Sequence, residues 1–144
     1  MTKPNRQETV LVVEDEARLA QVLRDYQDMW DIGWRVHPRF SKLQIDGVIY
    51  SHGDCGRGGQ DAAFKQAKDN FRSTVVGHFH SQAGVRWWAN PEFRVFGMSV
   101  GCGIDASKHQ FDYGRKLSAK PILGCGVVID GQRPVFEPWL LRSR

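Results

Sequence analysis

The chain has 144 residues, enough for one domain with its own apolar core and no disulfide staple. Hydrophobic residues make up 41% and charged residues 25%, no apolar run is long enough to span a bilayer, and the first residues lack the apolar stretch of a signal peptide. The three cysteines, Cys55, Cys102 and Cys125, form no Cys-x-x-Cys and no paired framework, which fits a reducing cytoplasm.

The net charge of +4 is unevenly spread: residues 1–34 carry four basic and seven acidic side chains, a net −3, so the rest carries +7. A basic body suits a phosphate-bearing substrate or nucleic acid. No basic cluster is dense enough to read as a nucleic-acid patch, and general solubility accounts for the same charge.

Residues 1–8 are polar. Thr9–Val13 is a β-branched run expected to form a buried strand. Leu19, Val22, Leu23, Tyr26 and Trp30 recur at helical spacing, so residues 16–30 should form an amphipathic helix ended by Gly33. Beyond it the pattern turns to strands. Arg35–Phe40 alternates, Leu43 and Ile45 form a second short strand, and Asp46-Gly47 is a hairpin turn leading into Val48-Ile49-Tyr50. A glycine-dense loop, Ser51–Gly59, follows. Phe64, Ala67 and Phe71 put an apolar stripe on a helix over about 60–72. Thr74-Val75-Val76 is a strand ending at Gly77-His78. Val85–Ala89, Phe93–Met98 and Ile122–Ile129 are strand candidates, and Asp130-Gly131 turns the chain into Pro134-Val135-Phe136. Residues 104–114 read as a loop or a short helix. The fold class is α/β, a mixed sheet with flanking helices.

Of the five histidines, His52, His78 and His80 sit where chemistry can be done. His52 follows one apolar strand and His78 and His80 another, with Gly53 and Gly77 beside His52 and His78, and strand ends that open into glycine loops are where α/β folds place ligand groups. Imidazole nitrogens suit zinc, iron, nickel and manganese. A bare His-x-His is weak evidence, because many such pairs are surface residues. A strand–His-Gly, a helix and a strand–Gly-His-x-His in succession is a stronger signal.

With His52 after its strand, Gly77-His78-Phe79-His80, Val100-Gly101-Cys102-Gly103-Ile104-Asp105 and Gly124–Asp130, the chain from about residue 30 to 140 resembles the C-terminal part of a calcineurin-like metallophosphoesterase, especially the phage-type members. The resemblance implies a partial αββα sandwich, with residues 30–144 as the C-terminal part of that domain and residues 1–29 as an atypical N-terminal strand and helix. It also implies that His52 and His78 bind one divalent ion and His80 a second, with manganese, iron, zinc or nickel as the metal. The ions would activate a water to hydrolyse a phosphomonoester or phosphodiester, nucleic acid being one such substrate. Arg57, in the glycine loop, is a candidate for neutralising phosphate.

The family's Gly-Asp-x-His, Gly-Asp-x-x-Asp and Gly-Asn-His-Asp/Glu motifs do not occur in these residues. Three histidines alone make an incomplete dinuclear site. Two readings follow: a hydrolase whose site is completed by a partner chain, or a catalytically inactive metal-binding or partner-binding fragment. A truncated sandwich would leave apolar sheet surface to be paired in a homodimer or prone to aggregate.

Residues 9–26, with the acidic pair Glu14-Asp15 after the strand, resemble the first strand and helix of a response-regulator receiver domain. An acidic helix start favoured by the helix dipole accounts for the same pair, and no later strand ends in a receiver-like phosphoacceptor aspartate. His37 and His109 read as exposed. Asp105 reads as a helix cap or as lining the substrate groove. Cys102 and Cys125 read as small buried thiols. Trp87 and Trp88, adjacent in a strand, should face opposite ways, and either ring could stack on a base or sugar.

Overall fold

The computed structural model describes residues 37–38, 40–103 and 119–139. The expected strand at Thr9–Val13, the helix over 16–30 and the receiver-like acidic pair lie outside these residues, as do Asp105 and His109. The described part is α/β. Its strands are β1 (Leu43–Ile45), β2 (Val48–Ser51), β3 (Thr74–Val76), β4 (Ala83–Ala89), β5 (Arg94–Val100), β6 (Gly124–Ile129) and β7 (Arg133–Pro138), with one helix, α1 (Ala62–Asn70), between β2 and β3.

The first five strands form one mixed sheet in the order β1-β2-β3-β5-β4, and β6 and β7 form a separate two-stranded ribbon. β2, β3 and β5 run parallel, with Ser51 level with Val76 and Val76 level with Ser99. Their carboxyl ends therefore finish in one row. β1 and β4 are antiparallel flanks.

The alternation of side chains sorts two packing faces. Val48, Val75, Phe96 and Met98 are buried on one face, where Tyr50, Val85, Val100 and Val128 of the ribbon pack against them. Burying each of these larger apolar side chains contributes about 1.5–3 kcal/mol. On the other face α1 presents Ala62, Ala63 and Ala67, all buried. These small side chains let the helix lie close to the sheet, directly over Gly97, where an added Cβ would stand 2.4–2.5 Å from the backbone of Ala63 and Phe64. The ribbon lies close at Gly126, where a Cβ would meet Val100 and Met98 at 2.6 and 3.0 Å.

Both Asp-Gly turns form hairpins with positive φ at each central residue: Asp46 (47°) with Gly47 (78°), and Asp130 (51°) with Gly131 (68°). That double-positive pattern suits the twist of the flanking strands. The expected strand over Arg35–Phe40 is not seen at its described residues. His37 and Pro38 lie in no element and Phe40 is in a turn. The Ser41 hydroxyl and N–H both donate to the Pro38 carbonyl, which closes that turn. Cys125 is exposed, not buried, because β6 turns it outward opposite Glu137. On the ribbon, Val127, Ile129 and Val135 are exposed as well.

Tyr50 is half-buried in the core face, and its phenol is pushed above the usual value of 10.0, first by burial and second by the Asp46 carboxylate. Folding thus favours the protonated phenol. Its contribution is fully present below about pH 10 and is lost as pH rises through the raised value in the folded state. Tyr50→Phe should therefore flatten the loss of thermal stability between about pH 10 and 12, read by circular dichroism melts. An unchanged alkaline profile would remove Tyr50 from the account.

No helix among the described residues is long and apolar enough to cross a membrane.

Candidate metal centre

The shared carboxyl end of β2 and β3 carries the site. Ser51 is the last residue of β2 and Val76 the last of β3, and the two are paired. His52 and Gly77-His78 are the next residues along each chain. Neighbouring parallel strands bring them together: His52 Nε2 lies 2.9 Å from His78 Nδ1, with ring centroids 4.8 Å apart and the planes inclined by 71°. In this state one ring nitrogen donates a hydrogen bond to the other.

The backbone around His78 is tightly wound. His78 has φ +54°, and the Phe79 N–H donates back to the Gly77 carbonyl at 2.5 Å, closing a three-residue turn. The His80 N–H donates to the His78 carbonyl at 3.1 Å. A non-glycine residue held at positive φ costs about 1–3 kcal/mol and clusters at functional positions. Gly53 is the complement of this turn. It has φ +110°, and a Cβ there would lie 3.0 Å from Val76 Cβ, 3.3 Å from the Phe79 ring and 3.5 Å from His78 Cβ. Only glycine leaves room for the turn to settle against the loop.

The glycine loop is tied down from beneath. Buried Gln66 of α1 donates through Nε2 to the carbonyls of Gly53 (2.9 Å) and Arg57 (3.1 Å). Arg57 forms a bidentate pair with Asp69 at 2.6 and 2.5 Å. Its guanidinium thus points to the helix, and its pKa is raised chiefly by that hydrogen bond. The bidentate pair engages two of the five guanidinium N–H donors, so Arg57 anchors the loop in this arrangement with donors left on its exposed side.

His80 does not complete a three-ligand group with the pair among the described residues. Its carbonyl accepts from the Ile122 N–H at 2.8 Å, and the 122–124 segment is in turn bonded to Cys102. Among the described residues, no three His, Cys, Asp or Glu side chains are grouped closely enough to hold one ion. The geometry therefore unites two of the three histidines singled out in the sequence.

The pair fits a divalent ion. Zinc binds imidazole nitrogens at about 2.0–2.1 Å, so two ligands on one tetrahedral ion have nitrogens roughly 3.3 Å apart. The observed 2.9 Å is a hydrogen bond, so binding an ion needs a few tenths of an ångström of opening, a shift of the shared proton to the far ring nitrogen and a turn of the rings that aims both lone pairs at the ion. His52 would bind through Nε2 and His78 through Nδ1, which leaves each ring's proton on its other nitrogen. His52 Nδ1 is buried, lying beside Gly77.

Two residues with clear roles, Gln66 and Asp69, were not singled out in the sequence. The signal that could have found them is their spacing, which places them one turn apart on the helix that follows the glycine loop. Comparison with known proteins returned no match, whether to a family model, a curated protein or a solved structure.

Proposed function

We propose that this chain is part of a metal-dependent phosphoesterase, in which His52 and His78 hold one divalent ion and His80 serves a second. The observation that carries the reading is the 2.9 Å approach of His52 Nε2 and His78 Nδ1 beyond the carboxyl ends of two adjacent parallel strands. That is where open α/β sheets bind ligands. His80 joins no three-ligand group with the pair among the described residues, and the reading assigns it to a different ion.

A bound divalent ion would supply Lewis acidity toward a phosphoryl oxygen and lower the pKa of a water for attack on phosphorus. This chain's residues orient that chemistry. The turn at Gly77–Phe79 fixes the His78 ring, Gly53 admits the turn, and Gln66 pins the loop that carries His52. No carboxylate ligand joins the pair among the described residues, so a complete hydrolytic site takes its acidic ligands from elsewhere. The same observation supports the second reading, a metal-binding chain without turnover.

Isothermal titration of the chelator-treated chain with zinc, manganese or nickel tests the ligands. Structural zinc sites with four ligands bind with about 10–16 kcal/mol, or about 3 kcal/mol per ligand. Two imidazoles then give a Kd on the order of tens of micromolar for zinc. Absence of binding at millimolar metal would sink the proposal. Hydrolysis of p-nitrophenyl phosphate and its bis-diester with manganese or nickel then divides the two readings. Turnover supports the enzyme, and bound metal without turnover supports the non-catalytic form.

A further inference from the structure

Along the outer side of α1 and the edge strand β4 runs a strip in which cations and aromatic rings alternate. The Arg86 guanidinium lies 4.7 Å from the Phe64 ring centroid, and Lys68 Nζ lies 5.1 Å from that of Trp88 and 5.7 Å from that of Phe64. Trp88 meets Phe93 edge-on at 5.3 Å, and Phe93 meets Phe71 at 6.1 Å. Two of the acids beside the strip are engaged, Asp61 with Arg86 and Asp69 with Arg57, and Glu92 is exposed next to Phe93. Lys68 and Arg72 form no ion pair among the described residues. The strip is therefore aromatic, with its positive charge at Lys68 and Arg72, at the end of α1.

Phe71 is the residue that asks for an explanation. It is 68% exposed and sits at φ +50° at the end of α1. Its N–H donates to the Lys68 carbonyl and that of Arg72 to the Ala67 carbonyl, both at 3.2 Å. This is the helix ending in which the left-handed position favours glycine. Burial does not favour phenylalanine there, and neither does backbone conformation. A large ring held in solvent at a strained position suits a flat partner that stacks on it.

We propose that this strip binds single-stranded nucleic acid, with Phe71, Phe93 and Trp88 offering stacking surface to bases and Lys68 and Arg72 meeting phosphates. Stacking platforms interleaved with cations are how sequence-tolerant single-strand binding is built. A protein partner fits less well, because lysine is depleted at the centres of protein interfaces and Lys68 is central here. The strip's far end, at Phe93 and Arg94, begins β5, whereas the histidines lie beyond the opposite end of the sheet. Seven residues of strand separate the two, about 20 Å. The inference therefore stands apart from the metal reading.

The test is fluorescence anisotropy of labelled oligo-dT and oligo-U of about 12 nucleotides, titrated with the full chain in EDTA so that metal plays no part. Binding should weaken with salt, with a log–log slope of about −1.4 for two phosphate contacts. Phe71→Gly should weaken binding about tenfold while the melting temperature holds or rises by about a few degrees. Phe71→Leu, which keeps an apolar side chain but loses the ring, should weaken binding similarly. Lys68→Glu should weaken binding and flatten the salt slope. No binding at low salt, unchanged binding by both Phe71 variants, or tighter binding of a duplex of equal length would each overturn the proposal.

Discussion

Alanine at His52 or at His78 should weaken zinc binding by roughly 100-fold, from tens of micromolar into the millimolar range. The two nitrogens stand 2.9 Å apart and face each other, so loss of either leaves a single imidazole. The double variant, with neither imidazole left, should show no zinc binding at this site at millimolar metal. His80→Ala should leave the first binding event within about threefold, since His80 lies outside the pair. Equal losses at all three positions would show that the histidines share one ion, contrary to the division proposed here. Any phosphoesterase turnover should follow the metal affinity of each variant.

A large structural effect should come from Gly97. A Cβ there would lie 2.4 Å from the Phe64 nitrogen and 2.5 Å from the Ala63 carbonyl carbon and oxygen. These are backbone atoms in the middle of α1's contact with the sheet and cannot turn aside as a flexible side chain can. Gly97→Ala should cost about 3 kcal/mol and lower the melting temperature by roughly 10 °C, and Gly97→Val should prevent folding. The metal site should fail with it. α1 carries Gln66, whose amide holds the Gly53 and Arg57 carbonyls, so a displaced helix releases the His52 loop. A Gly97→Ala variant that melts like the parent would show that α1 can shift without cost.

Much of the local structure was legible in the sequence. Asp46-Gly47 and Asp130-Gly131 both turn as expected, because two consecutive positive φ values are a local requirement that these residue types meet cheaply. The helix over about 60–72 forms as Ala62–Asn70, and the strands ending at Ser51 and Val76 form as read. The expected strand at Phe93–Met98 forms as Arg94–Val100, displaced by one residue at its start and two at its end. Boundaries of this kind depend on which partner strand supplies the hydrogen bonds. The reading of Cys125 as buried failed for the same reason: its flanking glycines and apolar neighbours do not say which face of the ribbon meets the sheet.

The sequence by itself determined the chemistry on offer: a histidine after each of two apolar strands, with glycines where the chain must turn. These are properties of single segments. The tertiary structure alone decided which of those groups meet. Parallel pairing of β2 with β3 brings His52 and His78 to 2.9 Å across 26 residues of chain, while the fold ties the His80 backbone to residue 122. It also turned Arg57 toward Asp69 and left Phe71 in solvent at a helix end suited to glycine. Such outcomes depend on strand order, side-chain direction and exposure, which arise only when segments distant in sequence pack against one another.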